Sequence, residues 1–316
     1  MTLAWALTTG EQGMRTQARG LAEAVADDTR EVTVARAGAL WFPGGSANRL
    51  RRLGLAPPWP DILVTCGRRS VALSIAIGRA SGGRVFRVHI QDPRTDPAAF
   101  DLVLAMGHDR IAASEKVIKL ASALHDLTPG KLDAAADAWR ARFAALGRPL
   151  VGVLVGGDLR GRRFGRADSD ALVDGLARLR QETGAAFAIT PSRRTPEALR
   201  RRLEAAFGGD GRGFVWNLAG PNPYRAILAL ADRLVATSDS VSMISEALFL
   251  PKPVDVLDLG FARHRGFIQD LVDQGRIRRF DGAVAVAPRS DSIDATAEAA
   301  ALVRARMGAY RTGVSG

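Results

Sequence analysis

Short apolar runs and longer stretches with helical spacing alternate along the whole chain. LAWALT (3–8) predicts a strand. Met14, Ala18, Leu21, Ala22 and Val25 then repeat at the three- and four-residue spacing of a helix face. REVTVA and DILVTC predict two more strands, the second followed by the helical SVALSIAIGRA. RVFRVHI, FDLVLAM and a short KVIKLA follow as strands, and KLDAAADAWRARFAAL as a helix with Leu132, Ala136, Trp139 and Phe143 on one face. Strands spaced by helices in this way predict βαβ units and parallel sheets.

The segment GRPL (147–150) breaks the pattern, which then restarts. LVGVLVGGD, AAFAIT, GFVWN, RLVAT and PVDVL predict strands, with helical segments between them and a terminal helix over 295–309. The expectation is an α/β chain of two Rossmann-like domains, 1–147 and 148–316, facing across a cleft, with the last helix packing back on the N-terminal domain. Ligands of open parallel sheets bind beyond the carboxyl ends of the strands, and the polar clusters of this chain fall just after strands.

In the first half, TTGEQGMRTQ follows the first strand. Gly10 and Gly13 allow tight turns and close backbone approach, beside Glu11 and Gln17. Its spacing is not G-x-G-x-x-G, so a dinucleotide fingerprint is absent. CGRRS brings Arg68 and Arg69 to a helix start, where cations are disfavoured unless an anion compensates. HIQDPR holds His89, Gln91 and Asp92, and MGHDR holds His108 and Asp109. A histidine beside an aspartate suits a general base with its orienter, and equally a turn with a helix cap.

The second half is more specific. Gly156 and Gly157 end its first strand. TPSRRTPEAL places Ser192, Arg193, Arg194 and Thr195 before Pro196, with Thr195 expected as N-cap. Arginines, hydroxyls and helix N–H groups at one point are the ingredients of a diphosphate site. DSVSMISEA predicts a helix from about Asp239, with Ser238, Ser240, Ser242 and Met243 at its entrance. Glu246 lies two turns on, roughly 10 Å along the axis, which suits the ribose of a nucleotide whose phosphates sit at the start. Asp239 would repel phosphate and is expected to cap backbone N–H groups. The alternative is a serine-rich cap with Glu246 in an ion pair.

Composition narrows the chemistry. The 316 residues are 47% hydrophobic and 24% charged, an ordinary globular balance. No run approaches the ~20 apolar residues that span a bilayer, and the N-terminus does not read as a signal peptide. One cysteine excludes an internal disulfide and a Cys-based zinc site, and four scattered histidines show no ligand spacing. The expectation is a cytoplasmic protein without metal or cofactor, at most peripheral at a membrane. The net charge of +11 divides almost equally between the halves, unlike a nucleic-acid arm. It favours anionic partners such as nucleotide-sugars, anionic membrane surfaces or lipid-linked phosphates. With 6% aromatics and no basic–aromatic interleaving, nucleic acid is not expected.

ITPSRRTP, NPYRAILALADRLVATSDSVSMISEAL…PKPV, IQDPR with FDLVLAMGHDR, and FIQDLVDQGRIRRFDG together resemble the mitochondrial-fission, elongated-mitochondria family. The resemblance spans nearly the whole chain and is densest from 187 to 282. It implies the GT-B fold and, by fold analogy, a glycosyltransferase. More distantly, 233–247 resembles the donor half of the lipid II-forming N-acetylglucosaminyltransferase and of lipid A disaccharide synthase. That likeness implies a nucleotide-sugar in the C-terminal half, the acceptor in the N-terminal half, and Glu246 on the ribose. The loop TTGEQG departs from the family's Lys-Pro-Gly-His type of sequence, so a histidine base is absent there.

The reading that follows is a metal-independent glycosyltransferase acting on an envelope-type acceptor. Gly156, Gly157, Ser192, Arg193, Arg194 and the helix start at Ser240 would hold the diphosphate. Gly10, Gly13, Gln17, Arg68 and His108 would lie on the acceptor side, and Glu11, Asp92 and Asp109 are the candidate bases. The rival is a non-catalytic adaptor on the same shell. A nucleotide-sugar epimerase is discounted for lack of G-x-G-x-x-G and of a Tyr-x-x-x-Lys pair, since the tyrosines stand in YRAIL and YRTGV.

Overall fold

The computed structural model describes residues 1–34, 46–159, 161–282 and 291–314. The chain divides into two compact units, Met1–Asp126 with Asp294–Gly316, and Leu127–Ile293. The division thus lies before the helix α4 (Pro129–Ala144), not after it at 147–150. The ring of Trp139 explains why α4 belongs to the second unit, packing 5.5 Å from that of Phe214. The Gly-Pro break marks only the turn into the next strand.

The first unit carries the sheet β2-β1-β3-β4-β5-β6, all parallel. Its strands are β1 (Leu3–Thr8), β2 (Asp28–Thr33), β3 (Ile62–Cys66), β4 (Phe86–Ile90), β5 (Leu102–Met106) and β6 (Val117–Leu120). β3 and β5 are buried at every position, because helices cover both faces. On one face α1 (Gln12–Val25) presents Ala18, Leu21, Ala22 and Val25 to the sheet. The C-terminal helix α10 (Ala295–Val314) packs in the same layer through Ala295, Ala299, Val303 and Met307, a stripe repeating every fourth residue. Thr296 ties its first turn down, donating to and accepting from the backbone of His125 at 2.9 Å. The opposite face packs Trp5, Leu7 and Leu63 against Leu73 and Ile77 of α3 (Val71–Ala80), with α2 (Ser46–Arg52) beside it.

The second unit carries the parallel sheet β12-β11-β10-β7-β8-β9. Its strands are β7 (Leu150–Val155), β8 (Ala186–Pro191), β9 (Gly213–Val215), β10 (Arg233–Thr237), β11 (Val254–Leu257) and β12 (Arg278–Arg279). The helices are α4, α5 (Arg166–Thr183), α6 (Glu197–Phe207), α7 (Tyr224–Leu230), α8 (Val241–Ala247) and α9 (Arg265–Asp273). The predicted α/β class and the two Rossmann-like sheets are therefore present. α8 is shorter than expected: it begins at Val241 rather than near Asp239 and runs seven residues. α6 also begins later, at Glu197 with Pro196 as its N-cap. Strand order reverses between β1 and β3 in the first unit and between β7 and β10 in the second. Doubly wound sheets bind ligands at those reversals.

Gly20 in α1 makes this packing checkable. A Cβ there would lie 2.1 Å from the carbonyl oxygen of His125, a backbone atom with nowhere to go. Alanine in a helix interior normally gains up to about 1 kcal/mol over glycine. Here overpacking wins, and Gly20→Ala is expected to destabilise the protein by about 1–3 kcal/mol in urea denaturation.

Candidate functional site

The carboxyl end of the second sheet, at the β7/β10 reversal, gathers most of the candidate residues of that half. Gly156 and Gly157 leave β7. The Gly156 N–H donates to Thr237 Oγ1 at 2.8 Å, and the Gly157 N–H donates to Asp239 Oδ2 at 2.7 Å. Glycine is required for closeness rather than for backbone angle. A Cβ on Gly156 would fall 1.9 Å from Asp239 Oδ2, and one on Gly157 would fall 2.1 Å from the Arg194 carbonyl oxygen.

Asp239 is the hub. Its side chain is fully buried. Oδ1 accepts from Thr237 Oγ1 at 2.6 Å, and Oδ2 accepts from Arg194 Nη2 at 3.1 Å as well as from Gly157. Arg194 continues outward, donating through Nη1 to the carbonyls of Gly157 and Asp158 at 3.2 and 2.9 Å. Ser192 Oγ donates to the Gly156 carbonyl at 3.0 Å, and Thr195 Oγ1 accepts from the Ser192 N–H at 2.8 Å while donating to the Gly156 carbonyl. One carboxylate and three hydroxyl side chains, those of Thr237, Ser192 and Thr195, thus tie the ends of β7, β8 and β10 together. Asp239 does accept a backbone N–H, as expected, but from the neighbouring strand end rather than from its own helix. Thr195, expected as the cap of α6, belongs to this tie instead.

The remaining candidates sort by what they touch. Arg193 is exposed and has no hydrogen-bond or ion-pair partner among the described residues. Ser240 is the N-cap of α8 and accepts from the Met243 N–H at 3.4 Å; Ser242 and Met243 are half-buried beside it. Ser238 turns the other way. Its Oγ accepts from the Leu259 N–H at 2.8 Å and its carbonyl accepts from His264 Nδ1 at 2.8 Å. Glu246 is buried further along α8.

Sequence reading missed the loop after β11. His264 stacks on Phe261, and burial is the main cause that lowers its pKa below the usual histidine value. The Arg162 guanidinium lies 4.6 Å over the Phe261 ring and grips Asp168 with both nitrogens at 2.9 and 3.0 Å. The cation-rich stretch FARHRGF, placed directly after a strand, was the available signal.

In the first unit the corresponding reversal lies between β1 and β3. Gly10 takes φ +102 and Gly67 φ +85, which glycine alone adopts readily. Glu11 precedes α1, accepts from Thr9 Oγ1 at 2.6 Å and pairs with Arg69 at 3.1 Å. The Thr9 hydrogen bond, foremost, lowers its pKa, which makes it a weak proton acceptor. Gln17 is buried and donates to the Gly13 carbonyl within α1. Arg68 is exposed, with no hydrogen-bond or ion-pair partner among the described residues. Asp92 accepts from the Arg94 N–H at 2.9 Å and pairs with Arg94 Nε at 3.1 Å, and Asp109 accepts from the Met106 N–H at 3.0 Å. Both carboxylates thus hold their own turns. His108 is half-buried next to Asp109. His89 is buried, bonded through Nδ1 to Thr65 Oγ1 at 2.9 Å, and desolvation pushes its pKa down to about 3. It is neutral at pH 7.

Residues 12–307 match the family model described as mitochondrial fission ELM1. The chain belongs to this family. The Arabidopsis thaliana mitochondrial fission protein ELM1 is 32% identical over 280 residues, 79% of this chain and 64% of the relative. This ELM1-family chain therefore spans less than two thirds of that relative's length. An uncharacterized Rickettsia prowazekii protein is 24% identical, covering 71% of this chain and 73% of its own.

Among solved structures, the UDP-GlcNAc 2-epimerase of Methanocaldococcus jannaschii superposes with TM-score 0.56 at 12% identity over the whole of both chains. The UDP-GlcNAc-bound enzyme of Neisseria meningitidis gives 0.51 at 11% identity, over 97% of this chain and 94% of its own. The ELM1-family chain thus has the two-unit Rossmann-like fold of GT-B type. At 11–12% identity this likeness carries the architecture alone. Among the described residues, no helix is long and apolar enough to cross a membrane, and no cluster of three His, Cys, Asp or Glu is arranged to hold a metal ion.

The Glu11 shift has a consequence for stability. A carboxyl whose folded pKa lies below its ordinary 4.5 contributes stability that is fully present above that value and is lost as pH falls through the lowered one. Glu11→Gln should therefore lose stability less steeply than wild type below pH 4.5 and follow it from pH 6 to 8, as read by denaturant midpoints.

Proposed function

We propose that the second unit binds a nucleoside diphosphate sugar and that the protein transfers its sugar to a hydroxyl of an anionic or lipid-linked acceptor. The observation that carries this reading is the tied crest at the β7/β10 reversal, with an exposed, unneutralised Arg193 at its rim. Arg193 and the hydroxyls of Ser240 and Ser242 would meet the diphosphate, and Glu246 the ribose. Gly156, Gly157, Ser192, Arg194 and Thr195 would form the floor, since their polar groups are already engaged. The short α8 reduces what its dipole can add, and more of the work falls to arginine. The solved UDP-GlcNAc-bound neighbour of the same fold supports this choice of ligand class.

In the transfer, the acceptor oxygen would form a bond to the anomeric carbon as the bond from that carbon to the phosphate oxygen breaks. The leaving diphosphate takes the electron pair and Arg193 stabilises it. The acceptor proton would pass to water. The second reading, an adaptor that keeps the shell without the chemistry, is favoured by the name of the Arabidopsis relative, a mitochondrial fission protein. Basic surface arginines would then dock it on an anionic membrane or protein surface.

A thermal-shift panel of nucleoside diphosphates and their sugars separates these readings. Ligand at 100 times its Kd stabilises by ~2.7 kcal/mol. A protein unmoved by every nucleotide would contradict the donor site and leave the adaptor. Calorimetry on the best ligand then tests the residues. Glu246→Gln removes a charged acceptor worth about 1.5–3 kcal/mol, so affinity should fall roughly tenfold or more with folding intact. Arg193→Ala should weaken nucleotides and leave denaturant stability unchanged, since Arg193 bonds to no described residue.

A further inference from the structure

The crest assigned to the diphosphate has a carboxylate in its floor. Asp239 is fully buried, its Oδ2 reaches the Gly157 N–H, and it lies where a Cβ of Gly156 would stand. Any phosphate seated on this glycine turn sits within a few ångströms of a fixed negative charge that solvent screens poorly. Asp239 also neutralises Arg194, so of two adjacent arginines only Arg193 keeps its charge for a ligand.

The structural part of this role does not need a charge. An asparagine would place its oxygen at the Oδ2 position, still accepting from Gly157 and Arg194, and its amide group against Thr237 Oγ1. What the carboxylate adds is charge, beside the place where ligand charge changes during transfer. In a nucleotide-sugar the terminal phosphate is esterified and carries one negative charge. Once the sugar leaves, the terminal phosphate gains a second ionisation with a pKa of about 6 and is nearly doubly charged at pH 7.5.

We propose that Asp239 sets the ligand charge the site accepts, favouring the intact nucleotide-sugar over the more negative nucleoside diphosphate left after transfer. This rests on the nucleotide-sugar reading above. Arg193 stabilises the leaving diphosphate, while the carboxylate beneath it keeps that product from being held as tightly as two free arginines would hold it. Release of product limits turnover in many enzymes, and a buried opposing charge is a direct way to speed it. Arg162 lies within electrostatic reach of Asp239, so the carboxylate has a cation near it besides Arg194 and does not close the site to anions.

The test is calorimetric titration of wild type, Asp239→Asn and Asp239→Ser with UDP and with UDP-N-acetylglucosamine at pH 7.5 and low salt. One charge removed at about 6 Å in a partly buried site is worth on the order of a tenfold change. Both variants should therefore tighten UDP relative to UDP-N-acetylglucosamine by about tenfold. Thermal midpoints establish that each variant is folded. Serine, smaller than aspartate and leaving room for a water on the Gly157 N–H, serves if asparagine does not fold. A folded variant that shifts both ligands by the same factor, or weakens UDP more, overturns the proposal while leaving the nucleotide site standing. A wild type that binds neither ligand removes the nucleotide reading itself and this inference with it.

Discussion

One buried carboxylate organises the candidate site. Asp239 stands at the point where strand order reverses, and its bonds reach three strand ends: Gly157 after β7, Arg194 after β8 and Thr237 closing β10. An isolated charge in that position would be too costly to keep. Arg194, the Thr237 hydroxyl and a backbone N–H make it tolerable, and in doing so fix their own geometry. Gly156 has to be glycine because the carboxylate already fills the place of a side chain. Removing one partner of such a cluster leaves the others unsatisfied, so it behaves as a unit.

The rest of the fold serves this arrangement. Parallel strands buried on both faces put all their loops of one kind at one end. β7, β8 and β10 therefore deliver their polar segments to a single crest. The first unit repeats the scheme at β1 and β3 with different chemistry. There the reversal holds Glu11 and Arg69 paired to each other, with Arg68 left exposed. Two sheets of like design thus present unlike surfaces, one with a carboxylate locked beneath arginines and one with an exposed ion pair.

Much of the fold was legible in the sequence because buried parallel strands read as unbroken apolar runs. LVGVLV and RLVAT are buried at every residue. The meeting of SRRTP with DSVSM was legible too, since both follow strands that flank β7. The pattern could not tell which polar groups would be spent inside the protein. Ser192, Thr195 and Arg194 looked like ligand contacts and instead bond Gly156, Gly157 and Asp239. Ser238 looked like a phosphate contact and holds Leu259 and His264. The unit boundary misled for a similar reason. Gly147 and Pro149 break the chain locally, but which unit α4 joins depends on Trp139 meeting Phe214, a contact distant in sequence. His264 and Arg162 were missed because partners drawn from separate loops leave no local spacing to read.

The central claim is that nucleotide phosphates lie on the crest built around Asp239. Backbone amide shifts of isotope-labelled protein, followed as UDP-N-acetylglucosamine is added, test it most directly. The largest changes should fall on Gly157, Arg193 and the start of α8 at Ser240 to Ser242, with Gly10 and Gly67 moving least. Changes centred on Gly10, Gly67 and Arg68, or no changes at saturating ligand, would contradict it.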